Sequence, residues 1–281
     1  QEPYLLDEPH KSICRDFIKL RYRLIPYIYT LMHRAATSGT PIIRPLVFEF
    51  PEDEKTHGIF DQFMLGPSIM VAPVYQPETK CRAVYLPGGE WFDFYTGKVI
   101  GGNRYILAEA PLDRIPVFLR EGAIIPLGRE MHFVGEVAQG LRIIDICPSR
   151  DTPSGKFSLY VDDGETEQHL LGDFGFIHVS YDMTQDGRFS KLGISVDTET
   201  RNNKYCASLP VESIRIWDFT QPPVKVSVNG IGVRPVGGKP EDAMRKLRTQ
   251  QGYYLDKDSN RLYIGAHKNS DEIKIEVVWM D

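Results

Sequence analysis

Long apolar runs are missing from this 281-residue chain, and so are blocks of one charge. No 18-residue apolar span occurs, so no segment is expected to cross a membrane as a helix, and no membrane partner is expected. Lys and Arg total 33 against 38 Asp and Glu, a net charge of −5 with no basic cluster, which argues against nucleic acid as a partner. Cysteine is scarce. Cys14, Cys81, Cys147 and Cys206 stand far apart with no C-x-x-C pair, which speaks against a zinc site or redox dithiol and for buried free thiols. No cofactor or metal is expected from these residues.

What is present is ordinary globular material, 42% hydrophobic and 25% charged, in a chain long enough for two or more domains. Residues 12–38 carry Ile13, Phe17, Leu20, Leu24, Ile28 and Leu31 at steps of three and four, which predicts one long helix. Ser12 is placed to cap it, Pro26 to kink it and Gly39 to stop it. An apolar, β-branched run follows, from Ile42 to Phe48, bounded by Pro41 and Pro51. A second runs from Ile69 to Val74. Continuous apolar runs suit strands covered on both faces, as in a parallel sheet.

Beyond about residue 66 the texture changes to short runs separated by turn signals such as Pro87-Gly88-Gly89 and Gly101-Gly102-Asn103, the pattern of an antiparallel sandwich. The loop 128–140 reads as a boundary. After it, Lys225–Val228 and Ile273–Val277 alternate as half-buried strands do, with hairpin turns at Asn229-Gly230 and Asp258-Ser259-Asn260. Only Lys239–Gln250 breaks the β pattern, as a short polar helix or loop.

Particular wording adds to the pattern. Arg44-Pro-Leu, Glu49-Phe-Pro, Gln62-Phe-Met-Leu-Gly-Pro and Val71-Ala-Pro-Val, in this order, closely resemble glycoside hydrolase family 31. So do Leu20-Arg-Tyr-Arg-Leu-Ile-Pro-Tyr upstream and Pro111-Leu-Asp-Arg-Ile-Pro-Val-Phe downstream. The matches run from residue 1 to about 165. The resemblance implies a mainly β chain with an α/β remnant: the last αβ unit of a (β/α)8 barrel, with Pro41–Phe48 as its eighth strand, then two antiparallel β-sandwich domains. The corresponding divisions are 1–65, 66–140 and 141–281.

The family's nucleophile and acid/base motifs, Trp-x-Asp-Met-Asn-Glu-like and Gly-Asp-Asn-like, do not occur here. No catalytic residue is therefore expected in this chain, which should be inactive alone. The implied role is the C-terminal region of a retaining α-glycosidase, most simply an α-glucosidase. Its implied partners are the N-terminal part of the same enzyme and, through that barrel portion, an oligosaccharide. An exposed barrel edge should favour self-association. The alternative is a stand-alone carbohydrate-binding or scaffolding sandwich module.

Arg44 and Glu49 are the two weak substrate-binding candidates, Glu49 because it stands beside the presumed last strand. The plainer reading pairs them as an ion pair, since a buried Arg44 must be neutralised. Glu52-Asp53-Glu54 is expected as a solvated turn or the first turn of a short helix rather than a retaining pair of carboxylates. Asp162-Asp163-Gly164 is expected as a turn closed by Asp side chains, with Ca²⁺ as the less favoured reading. His33 and His57 are solitary, with no nucleophile arranged about them. Trp91, Phe92 and Tyr95 could stack a sugar, but at strand spacing they suit a sandwich core.

Overall fold

The computed structural model describes residues 2–134, 141–149, 151–186, 188–199, 211–266 and 272–280. Two helices open the chain where the sequence predicts one. α1 (His10–Arg23) and α2 (Ile25–Ser38) meet at Leu24, because Pro26 in the first turn of α2 has no N–H to return to the turn before it. Ser12 lies inside α1 rather than at its cap, and its hydroxyl donates to the Pro9 carbonyl at 2.8 Å. Gly39 ends α2 as expected, at φ +72°, with its N–H bonded to the Ala35 carbonyl.

The run expected as an eighth, parallel barrel strand behaves differently. It forms a three-residue strand, β1 (Ile43–Pro45), followed by a single helical turn, α3 (Leu46–Glu49). β1 pairs antiparallel with β2 (Phe63–Leu65), which pairs with β3 (Ile69–Val71). Pro45 has no N–H for the ladder, so pairing stops there and the chain turns.

The first sheet is completed by β8 (Val117–Arg120), β5 (Glu90–Asp93) and β6 (Val99–Gly101), in the order β1-β2-β3-β8-β5-β6. β4 (Cys81–Leu86) and β7 (Arg104–Glu109) form a two-stranded partner. Gln62 ties these layers together. Its side chain, 4% exposed, donates to the Tyr85 carbonyl and accepts from the Tyr85 N–H, both at 2.8 Å.

A second pair of sheets follows. One runs β17 (Gly252–Asp256), β18 (Arg261–Gly265), β14 (Ser213–Trp217), β10 (Leu141–Ile146), β9 (Ile124–Gly128). The other runs β11 (Ser154–Val161), β12 (Gly175–Asp186), β13 (Phe189–Thr198), β19 (Glu272–Met280), β15 (Lys225–Val228), β16 (Ile231–Gly232). β10 and β14 are parallel. β9 precedes residue 140 yet pairs with β10 beyond it, so the two sandwiches are continuous at strand level. Asn229 and Gly230 take φ +51° and +79° at the β15–β16 hairpin, as the Asn-Gly pair predicts. The polar stretch after residue 239 contains α4 (Pro240–Leu247).

One core joins these parts. Tyr27 and Leu31 of α2 cluster with Phe92 and Leu119 of the first sheet and with Ile144, Ile177, Ile216 and Val277 of the second pair. Burying such a side chain fully stabilises by about 1.5–3 kcal/mol, so α2 is held by packing. Tyr27 also donates its hydroxyl to the Leu65 carbonyl at 3.0 Å. The thiols depart from the expectation. Cys147 is buried, Cys14 is half-buried and Cys81 is exposed at the first position of β4, while Cys206 lies outside the described residues.

Candidate functional site

Glu49 stands between two guanidinium groups. Arg44, on β1, is 6% exposed, and its Nη1 pairs with Glu49 Oε1 as its Nε donates to the Pro41 carbonyl at 2.6 Å. Arg120, on β8, approaches Glu49 Oε2 from the other side at 3.6 Å. Aromatic rings back both cations. The Arg44 guanidinium carbon lies 5.3 Å from the Phe48 ring centroid, and that of Arg120 lies 4.4 Å from the Phe50 centroid. Sequence proximity and a common turn bring Arg44 to Glu49, since α3 folds the chain back within five residues. Sheet pairing alone brings Arg120, which the sequence reading does not single out.

Glu49 and Phe50 form one wall of an open depression of about 490 Å³, whose other residues include Glu52, Asp53, Glu54 and Asn103. The three acids are not equivalent. Asp53 caps the 3₁₀ turn Glu54–Gly58, accepting from the Lys55 N–H at 3.2 Å. Its other oxygen accepts the Tyr85 hydroxyl at 2.7 Å. Burial and the Asp53 carboxylate together hold the Tyr85 pKa up at about 12. The run is therefore a capped turn, as the sequence predicts, with one acid committed to the β4 surface. Glu49 is engaged closely by Arg44 and at 3.6 Å by Arg120, an arrangement that suits positioning better than proton transfer.

The remaining candidates lie elsewhere. Trp91 and Phe92 are buried in the core, and the Trp91 indole N–H donates to the Pro87 carbonyl at 2.9 Å, so neither ring faces a ligand. Tyr95 donates to the Ile115 carbonyl at 3.0 Å. The Nε2 of His57 is 2.9 Å from the Pro51 carbonyl. His33 stacks on Tyr160, with centroids 4.0 Å apart and planes 12° apart, and burial lowers its pKa.

Asp162 and Asp163 point to different duties. Asp163 Oδ1 accepts the N–H groups of Glu165 and Thr166, closing the turn over Gly164 at φ +68°. Asp162 accepts the hydroxyls of Tyr29 and Tyr160 and the Gly164 N–H. Protein donors thus engage both carboxylates, those of Asp163 being local and those of Asp162 including the distant Tyr29.

The comparisons with known proteins agree with this architecture. The glycosyl hydrolases family 31 TIM-barrel domain matches residues 1–31, and the glycosyl hydrolase family 31 C-terminal domain matches residues 39–125. Alpha-glucosidase 2 of Bacillus thermoamyloliquefaciens is 37% identical over 185 residues, which is 64% of this chain and 23% of that protein. An alpha-xylosidase of Saccharolobus solfataricus is 32% identical over 234 residues, 82% of this chain and 31% of the relative. Among solved structures, the GH31 dextranase of Flavobacterium johnsoniae complexed with isomaltotriose superposes with a TM-score of 0.86 at 28% identity. That match covers 98% of this chain and 34% of the dextranase chain. The chain thus spans roughly a quarter to a third of the length of these relatives. A barrel-end helical portion leading into a mainly β region, with both family models in chain order, leads to one conclusion: the chain belongs to glycosyl hydrolase family 31 and carries its C-terminal portion.

Proposed function

We propose that this chain is the C-terminal region of a retaining α-glycosidase, most simply an α-glucosidase, and that it buttresses a catalytic barrel whose carboxylate pair is supplied from outside these 281 residues. In such a reaction one carboxylate attacks the anomeric carbon, while another protonates the leaving oxygen and then activates water. Within the chain, 1–65, 66–140 and 141–281 would serve as barrel end, proximal sandwich and distal sandwich.

The observation that carries this reading is the state of α1. It has apolar residues at helical spacing but no fully buried one, and Ile18 on it is 48% exposed. Tyr4, Leu5 and Phe60 are exposed at 70%, 59% and 93%. Apolar surface of this kind calls for a covering partner. The N-terminal part of the same enzyme, bearing the rest of the barrel, is the partner of matching chemistry. Arg44 and Glu49 are assigned to holding the junction beneath that barrel.

The test is hydrolysis of an aryl α-glucoside by three preparations: this chain, the N-terminal portion of the parent enzyme, and their mixture. Activity in the mixture alone is the expected result. Turnover by the chain alone, or no association between the two portions, overturns the reading.

A further inference from the structure

A second cleft, of about 440 Å³, opens at one end of the distal sandwich, where β14 and β19 finish on opposite sheets. Its floor is aromatic. Trp217 and Phe219 are buried, and the half-buried Trp279 meets Phe219 edge-on with centroids 5.1 Å apart. Its mouth is polar and accessible, formed by Thr184, Asp218 and Gln221.

Two polar groups here lack partners among the described residues. The Trp217 indole N–H is buried with no acceptor. Asp218 has no ion-pair or hydrogen-bond partner, and the protein around its carboxyl raises its pKa by desolvation alone. Asp218 also holds φ +55°, a left-handed conformation that side chains adopt at some cost and that fixes the turn after β14. An unpartnered polar group in a partly desolvated position is stabilised when a ligand supplies the missing hydrogen bond.

The charge of the cleft narrows the ligand. Among the described residues no Lys or Arg lines it, while Glu90 and Asp218 do, so these carboxylates disfavour a phosphorylated or carboxylated ligand. A neutral ligand with apolar C–H faces and several hydroxyls fits, since rings bind the former and a carboxylate accepts from the latter.

We propose that this cleft binds a neutral α-linked glucose oligosaccharide, stacked on Trp279 and donating a hydroxyl to Asp218. The neutral sugar follows from the cleft, whereas the α-linked glucose rests on the assignment to an α-glycosidase. Bound here, an oligosaccharide is retained on the sandwich by a site that needs no catalytic group.

Isothermal titration of the 281-residue chain with isomaltotriose and with maltotriose tests this. Tryptophan fluorescence provides a second readout, because Trp217 and Trp279 line the cleft and Trp91 is the third of the chain's three tryptophans. Saturable binding is expected, weakened at least about tenfold by Trp279→Ala and several-fold by Asp218→Asn. Should Trp279→Ala fail to fold, Asp218→Asn and Gln221→Ala, both at the accessible mouth, carry the comparison. The proposal is overturned by the absence of saturable binding, by an equal response to glycerol, or by unchanged affinity in the folded variants. None of these outcomes bears on hydrolysis by the assembled enzyme, so the two readings fail separately.

Discussion

Tyr29, on α2, donates its hydroxyl to Asp162, 133 residues later in the chain, at 2.8 and 2.9 Å from the two carboxylate oxygens. Tyr160 adds a second hydroxyl at 2.8 Å, and the Gly164 N–H a third donor at 2.8 Å. Asp162 is 7% exposed, so its charge is tolerated only because these donors replace water. The carboxylate therefore clips α2 to the end of β11. Asp162→Ala should cost about 3 kcal/mol in urea unfolding, because each hydrogen bond to a charged group contributes about 1.5–3 kcal/mol before relaxation. Tyr29→Phe should cost about 1 kcal/mol. Equal stability of Asp162→Ala and the parent chain would remove the clip from the account of the fold.

The same junction should respond to mild acid through His33. Burial lowers its pKa below the ordinary value, against the pull of the Asp162 charge and with the repulsion of Arg34. The folded state thus binds its proton less readily than the unfolded state. The stability this confers is present above the unfolded value, about 6.5, and is lost as pH falls from there through the folded pKa. Thermal unfolding across pH 7 to 5 should show that loss in the parent chain and a smaller one in His33→Phe, which keeps the stack on Tyr160 without the titration. An identical pH slope in both would assign the effect to other groups.

Much of this was legible in the sequence, for local reasons. Alternation in Ile273–Val277 reports one buried face, and β19 buries Ile273, Ile275 and Val277. Gly39 and Asn229-Gly230 announce left-handed backbone. The Arg44–Glu49 pair is five residues apart and follows from the need to neutralise a buried cation. What was not legible depends on distant pairing. Arg120 reaches Glu49 because β8 lies in the same sheet as β1, and Tyr29 reaches Asp162 because α2 packs on β11. The apolar run before Phe48 misled for the opposite reason: its composition suits a parallel strand, and the prolines within and around it cut that strand to three residues. The Trp217-Asp218-Phe219 cleft needs two strand ends from opposite sheets, and nothing in the spacing of the chain brings them together.

Gly66 tests whether the family-like Leu65-Gly66-Pro67 wording is structural. It holds φ +60°, and a Cβ there would lie 2.5 Å from the Tyr27 hydroxyl oxygen and 2.8 Å from Leu31. Both neighbours are core residues of α2 that cannot retreat without opening the junction. Gly66→Ala should therefore destabilise by about 3 kcal/mol, combining left-handed strain of about 1–2 kcal/mol with overpacking of about 1–3 kcal/mol. Denaturant unfolding reads it directly. A loss below about 1 kcal/mol would mean that α2 has room to move.

Arg44, Glu49 and Arg120 separate a structural role from a substrate role. Removing one partner of a buried pair typically costs about 3–5 kcal/mol, because the other charge is left without compensation. Arg44→Ala should approach the low end, since Glu49 keeps Arg120, and Arg120→Ala should cost about 1 kcal/mol, its guanidinium being one-third exposed. In a double-mutant cycle, Arg44→Ala and Glu49→Ala should couple by about 2 kcal/mol. In the assembled enzyme, Glu49→Gln should lower thermal stability and leave kcat and KM within about twofold, because a positioning ion pair acts on the fold and not on the transition state. A KM raised tenfold or more, with stability unchanged, would instead put Glu49 in contact with the sugar and reverse the assignment.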